Sequence, residues 1–212
     1  CVYREEELRK IAEICVENKI FVISDEIYEK LIYNGLKHVS IAGFDKEIYD
    51  LTVTINGMSK SYSMTGWRIG YLAAPLDVVE AVSRLQDHST SNPNSIAQKA
   101  ALAALSQGGD FFSGIVKEFE RRRDYCMQRL KQMPKVSPIF PEGAFYIFFD
   151  ISGTGLKSSD FANRLLDEKY VSLNPGEGFG MDNYVRMSFA TSMEQLEKGM
   201  DRLSDFLKDL AK

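Results

Sequence analysis

The chain of 212 residues is 44% hydrophobic and 26% charged, with a net charge of −4 at pH 7, the profile of a globular protein with room for one large domain or two small ones. Acidic and basic residues are mixed along it, so no basic stripe marks a nucleic-acid partner, and no apolar run approaches the ~18 residues of a membrane span. Cys1, Cys15 and Cys126 are odd in number and far apart, which argues against a disulfide framework or zinc site and for free thiols in a reducing compartment, the cytoplasm. Neither His38 nor His88 has a ligand-spaced partner in the sequence, which argues against histidine metal chemistry.

The chain enters a helical pattern almost at once, with Leu8, Ile11, Ala12 and Cys15 on one face of a helix over about 5–18. No signal peptide or starting methionine precedes it, so the chain is expected to be a fragment. "KIFVISDEIY" follows as a short apolar run, read as a buried parallel strand that ends at Ser24-Asp25-Glu26. "DLTVTINGMSK" repeats the arrangement, with a β-branched strand, Gly57, and then Ser59-Lys60. "GWRIGYLAAP" reads as a third strand stopped by Pro75, and residues 77–88 as a helix with Val78, Val79, Ala81, Val82 and Leu85 on its apolar face. After the breaker Asn92-Pro93, a helix over 96–106 is interrupted by Gly108-Gly109, and Asp110 can cap a further helix running to about Met133. Arg121, Arg122 and Arg123 on that helix read as a solvated face.

Beyond Pro134 the pattern becomes strand, Gly143, strand through "SPIFPEGAFYIFFDI", then a helix in "SSDFANRLLDEKY" capped by Ser159 or Asp160. Short strands are expected in "VSLNPGEGFG" and "NYVRMSFA", and a last amphipathic helix with Leu196, Met200, Leu203, Phe206, Leu207 and Leu210 facing the core. The expected division falls near Arg121: parallel α/β over 1–120, a smaller α+β unit over 121–212.

Five residues invite a chemical reading beside a plainer one. Lys60 is either a loop lysine or an amine at the carboxyl end of a strand, where open α/β sheets place ligands and desolvation makes lysine a nucleophile. Asp25 is either a turn cap or a carboxylate in the same crevice facing a cation. Tyr28, three residues on, either packs or faces the same way. Arg68, in the expected strand "GWRIGY", needs an anion: an internal carboxylate or a phosphate. Arg186, in the apolar strand "YVRMSF", poses the same choice between a salt bridge and a substrate carboxylate. Together they suit a ligand with an aldehyde, a basic nitrogen, a phenolic oxygen and a phosphate; pyridoxal 5′-phosphate has all four.

"SDEIYEKLIY", "NGMSKSYSMTGWRIGY", "SNPNSIAQ", "PEGAFY" and "NYVRMSFA" resemble, in order and spacing, the class I/II aminotransferases of the fold-type-I pyridoxal-phosphate superfamily, nearest to the prokaryotic aspartate aminotransferases. The resemblance covers essentially the whole chain and implies the carboxyl-terminal part of an α/β fold-type-I transferase: a partial large-domain sheet with helices, then a small α+β domain. It implies that Lys60 forms the Schiff base and serves as general base and acid, and that Asp25 keeps the pyridine nitrogen protonated. Tyr28 would donate to the phenolic oxygen, Arg68 would bind the phosphate with help from Ser59, and Arg186 would clamp the substrate α-carboxylate. Phe145 would line the pocket, and Asn92 would approach a dimer-related site. The implied partners are an amino acid, a 2-oxo acid such as 2-oxoglutarate, and a second copy of the complete protein. Family members have used about half their length where this chain begins, so the chain alone is expected to be inactive. Two other readings use the same residues: a pyridoxal-phosphate-dependent C–S lyase working by β-elimination, and the effector domain of a transcription regulator that binds the cofactor as a signal.

Overall fold

A computed structural model describes residues 2–106 and 111–210. Cys1, the expected interruption at Gly108-Gly109 and the expected cap at Asp110 lie outside the described residues. The chain divides into two compact units after Ser113. No described helix is long and apolar enough to cross a membrane.

In the first unit, α1 (Glu5–Glu17) opens with three glutamates, which suit the positive end of a helix. Its apolar stripe buries Ala12 and Cys15 against Ile41 and Ile48, with Leu8, Val16, Val22 and Phe44 packed around them. The chain then enters β1 (Val22–Asp25), passes the one-turn α2 (Lys46–Tyr49) and forms β2 (Thr52–Gly57) and β3 (Gly70–Ala73). The sheet order is β1-β2-β3. β1 lies parallel to β2, with Val22 opposite Thr52 and Asp25 opposite Ile55.

Two expectations are corrected. β3 runs antiparallel to β2, with Thr54 opposite Ala73 and Gly57 opposite Gly70; residues 58–69 between them hold a local coil and a single helical turn over Thr65–Trp67 rather than a crossover helix, so the chain re-enters the sheet at the end it left. β1 is also not buried on both faces, since its alternate residues are open and Ile23 is 73% exposed. The helix α3 (Leu76–Ser89) forms where the apolar periodicity placed it, and α4 (Ser95–Ser106) forms after the Asn92-Pro93 breaker as expected. α3 buries none of its residues, and Leu76 and Leu85 are more than 70% exposed. α4 seats Ala101 and Ala104 with Met58, against Tyr62, Met64 and Ile69.

α5 (Phe111–Lys131) spans the division and contributes Cys126, Met127 and Leu130 to the core of the second unit. There β4 (Ser137–Pro138), β5 (Tyr146–Asp150), β6 (Asn174–Pro175) and β7 (Tyr184–Ser188) make an antiparallel sheet in the order β4-β5-β7-β6. Ile147, Phe149, Val185 and Met187 form its buried face, and their alternation with half-buried neighbours is the period of a sheet covered on one side. α6 (Ser158–Lys169) and α7 (Met193–Asp209) add Phe161, Leu165, Met200, Leu203, Phe206 and Leu207. The Phe161 and Phe206 rings meet edge to face at 5.3 Å. Ser192 caps α7 by accepting from the Gln195 N–H.

Three further readings change. α6 begins at Ser158, with neither Ser159 nor Asp160 at the cap; the buried Ser158 Oγ donates to Asp182 Oδ1 at 2.9 Å, and its N–H donates to the Asp182 carbonyl at 2.7 Å. "VSLNPGEGFG" supplies only the two-residue β6 before a single helical turn over Gly176–Phe179. Arg121 and Arg122 pair at the surface with Glu118 and hold its carboxyl down at about 2, but Arg123 is not solvated. It is 2% exposed, donates to Asp124 Oδ1 and the Pro141 carbonyl, and lies over Phe140 at 4.5 Å. A guanidinium withdrawn from water needs such acceptors, and charge patterning alone does not locate them.

Phe206→Ala is expected to lower the opening free energy of the α6–α7 layer by about 3 kcal/mol, the cost of truncating a fully buried ring. Amide hydrogen exchange across α6 and α7 of the complete protein should accelerate roughly 10²-fold; unchanged protection would refute this packing.

Candidate active site

β1 and β2 are parallel, so their carboxyl ends lie together, and the chain turns sharply after each. Asp25 is the last residue of β1; its exposed side chain accepts the Ile27 N–H through Oδ1 at 3.2 Å. The turns that follow are closed by Glu29 N–H to the Glu26 carbonyl and by Leu31 N–H to the Tyr28 carbonyl. Leu31 and Tyr33, both fully buried, anchor the segment. Tyr28 thus sits half-buried on a turn-like path.

After β2, Met58 is buried and the chain coils back, with Tyr62 N–H donating to the Met58 carbonyl and Ser63 N–H to that of Lys60. This local coil carries Ser59 and Lys60, both half-buried. The Lys60 ammonium lies 5.8 Å from the centre of the Tyr28 ring. Thus the folded turns after β1 and β2 bring Tyr28 and Lys60, distant in sequence, to one place. The neighbouring Ser61 hydroxyl is buried and has no hydrogen-bond partner among the described residues.

Gly57 and Gly70 face each other at the mouth of the β2–β3 hairpin. A Cβ on Gly70 would lie 2.9 Å from the Asn56 carbonyl oxygen, and one on Gly57 would lie 3.1 Å from the Gly70 Cα. Backbone approach therefore accounts for glycine at these two positions.

The reading of "GWRIGY" as a strand is corrected. Thr65–Trp67 form one helical turn, Arg68 takes a left-handed conformation at φ 51°, and β3 starts at Gly70. Arg68 is exposed, and its Nη1 donates to the Thr65 carbonyl at 2.9 Å, so it is not a buried strand arginine in need of an anion. It lines a cavity of about 820 Å³ with Trp67, Gly70, Gln86, Asn92 and Asn94. The structure thus brings Arg68 and Asn92 to the same cavity.

A polar cluster on the other side of the β1 end was not singled out from the sequence. Glu26, 7% exposed, accepts from Ser24 Oγ at 3.1 Å and Ser40 Oγ at 2.7 Å on Oε1, and meets His38 Nε2 at 2.7 Å on Oε2. Burial alone would raise this carboxyl, but the hydrogen bonds from His38 and Ser40, with the His38 charge and Ser24, hold it below the usual carboxylate range. His38, which has no ligand-spaced partner in the sequence, gains one in the fold. Its ring nitrogen and a carboxylate oxygen each of Glu26 and Glu29 lie within 4.8 Å of one another. The oxygens of Glu26 are engaged by these three donors, which makes it a hydrogen-bond hub. The signal available in the sequence was strand alternation, which sends Asp25 and Glu26 to opposite faces.

In the second unit, Arg186 on β7 pairs with Phe148 of β5 on one side and with Asn174 of β6 on the other. Its guanidinium carbon lies 4.3 Å from the centres of both the Tyr146 and Phe179 rings. Its Nε is buried without a hydrogen-bond partner, and it pairs with no carboxylate among the described residues. Phe145 stacks on Phe119 at 5.7 Å and touches Tyr146 at 4.8 Å. Tyr146 and Phe179, the two rings on Arg186, were not singled out. For Tyr146 the signal was the alternation of "YIFFD", which sets it on the same face as Phe148 and hence beside Arg186. An unpaired guanidinium fork between two π-faces is suited to take a carboxylate in two parallel hydrogen bonds.

Residues 1–203 match the family described as aminotransferase class I and II. The chain is 45% identical to an aspartate aminotransferase of Bacillus subtilis, over 98% of this chain and 54% of that protein. It is 44% identical to a probable aspartate/prephenate aminotransferase of Aquifex aeolicus, over 99% of this chain and 54% of that protein. The crystal structure of an aspartate aminotransferase from Rhizobium meliloti superposes with a TM-score of 0.92 at 32% identity, covering 97% of this chain and 54% of that one. The chain spans about half the length of the curated relatives it matches. With the family matched over nearly its whole length and the fold shared, the chain belongs to the class I and II aminotransferases.

Proposed function

We propose that the complete protein is a pyridoxal-phosphate-dependent aminotransferase that moves an amino group between an aspartate-like L-amino acid and a 2-oxo acid such as 2-oxoglutarate. The observation that carries this reading is Lys60 beside the Tyr28 ring, next to the open carboxyl end of β1 that bears Asp25. An amine, a phenol and a carboxylate borne on the turns at two parallel strand ends fit the aldehyde, phenolic oxygen and ring nitrogen of the cofactor. When bound, pyridoxal phosphate supplies the electron sink for the pair left behind as the substrate's α-proton departs.

The chain's own residues have distinct tasks in this reading. Lys60 would hold the cofactor through Nζ at its aldehyde carbon and, once the substrate's amine has taken that place and set the Nζ amine free, would carry the α-proton as general base and acid. Asp25, acceptor-only when ionised, holds a proton on the ring nitrogen. Tyr28 donates its O–H to the phenolic oxygen. Arg68 and Ser59 take the phosphate, which suits the exposure of Arg68 on a cavity rather than in a salt bridge. Arg186 orients the substrate by its α-carboxylate, with Phe145 and Asn92 as lesser contacts. In this assignment residues 1–120 belong to the large cofactor-binding domain and 121–212 to the small one. The relatives' names support the substrate class, since they include aspartate and aspartate/prephenate aminotransferases. We also infer a homodimer in the cytoplasm. The apolar side chains left open on α3 and the first sheet support burial against further protein, and Cys15 and Cys126 are free buried thiols.

Lys60→Ala in the complete protein should abolish the cofactor's absorbance at the edge of the visible range together with amino transfer; an unchanged spectrum and rate would sink the assignment. Arg186→Leu should raise KM for the amino acid roughly 10²-fold, the loss of a desolvated charge pair worth about 3 kcal/mol. Steady-state kinetics with an amino-acid donor measure this, and an unaltered KM would remove Arg186 from substrate binding.

A further inference from the structure

Among the described residues of the first unit Glu26 is the one buried charged residue, and the proposed chemistry does not use it. Its main chain continues the ladder of β1, with its N–H donating to the Ile55 carbonyl at 2.8 Å. Its side chain is tied at three points, to Ser24 within β1 and to His38 and Ser40 on the far side of the following loop. Asp25 is the residue before it and is open to solvent. Consecutive residues of an extended chain point to opposite faces. Clamping Glu26 on the inner face therefore fixes the twist of the strand end and with it the outward direction of Asp25. The same clamp holds both ends of the segment that carries Tyr28, from Ser24 to Ser40.

We propose that Glu26, held as a carboxylate by Ser24, His38 and Ser40, is a positioning residue that aims Asp25 and Tyr28 at the cofactor. The inference rests on the reading of Asp25 and Tyr28 as cofactor contacts. Glu26 does not touch the cofactor; it acts through its neighbours. The charged and titratable groups facing it are His38, Glu29 and, from β3, Tyr71, whose phenol is pushed up by burial and then by Glu29, Tyr62 and Glu26. Glu26 is ionised above its own lowered pKa and loses its charge as the pH falls through that value, so the clamp is complete at neutral pH and opens on acidification.

The test compares Glu26→Gln and His38→Gln with the parent in the complete protein. Glu26→Gln keeps the volume and one acceptor oxygen but removes the charge. His38→Gln keeps a donor to the carboxylate and cannot titrate. The readouts are the dissociation constant for pyridoxal phosphate, from titration of the cofactor-free protein by absorbance, and the pH midpoint of the visible band. Glu26→Gln should weaken cofactor binding roughly tenfold, the loss of charge-assisted hydrogen bonds, and displace the pH midpoint by about half a unit as Asp25 loses its orientation. His38→Gln, which leaves the Glu26 carboxylate and a donor to it in place, should keep parent-like binding at neutral pH. If folded Glu26→Gln protein matches the parent in both readouts, or shows only a lower melting temperature, the proposal is overturned. If Glu26→Gln does not fold, Ser40→Ala removes one of the three donors, and roughly threefold weaker binding is expected; unchanged binding overturns the proposal equally. The underlying reading fails separately, if the visible band of the parent survives Lys60→Ala.

Discussion

The parallel pairing of β1 with β2 is the constraint from which the rest of the first unit follows. Val22 opposite Thr52 and Asp25 opposite Ile55 fix where both strands stop and which way each side chain leaves. A slip of one residue would send Glu26 outward and bury Asp25, exchanging a clamped carboxylate for an open one. It would also carry the turn bearing Tyr28 away from the coil bearing Lys60. The register is held by the ladder itself, which the Glu26 N–H extends by donating to the Ile55 carbonyl.

The two units show different degrees of closure. In the second, one face of a four-stranded sheet and the helices α5, α6 and α7 enclose a core in which Phe149, Phe161, Phe189 and Phe206 are fully buried. The first keeps Ile23, Ile55, Leu76 and Leu85 open. Apolar residues placed with helical and strand periodicity but left uncovered are sites for further protein to pack, which agrees with a chain that matches its relatives over about half of their length.

Much of this was legible in the sequence wherever periodicity alone decides structure. The helices α1, α3 and α7 fall where apolar spacing places them, and β5 and β7 fall within the apolar stretches read as strands. Legibility stopped where the backbone leaves regular geometry. At Arg68 the left-handed turn between Trp67 and β3 breaks an apparent strand, and no periodic signal distinguishes the two. At Arg123 a run of three arginines concealed one that is buried, because its acceptors come from Asp124 and from Pro141, far along the chain. The site was readable as motif residues, but their supports were not. Glu26 and His38 meet across twelve residues, and Phe179 reaches Arg186 from a separate turn; such pairings arise only once the chain has folded.

The slot around Arg186 has a consequence for ionic strength. Mobile ions weaken an interaction only where they can enter, over a distance of about 8 Å in physiological salt. Tyr146 and Phe179 each bring a ring centre to 4.3 Å from the guanidinium carbon, and its Nε is sealed from solvent. An anion seated there displaces water from an already shielded cation, so added salt competes with it poorly. Arg68, open on its cavity, is fully within reach of the ion atmosphere. Two arginines of equal charge in one chain are thus set to differ in their response to salt, and the difference lies in two aromatic rings rather than in any charge.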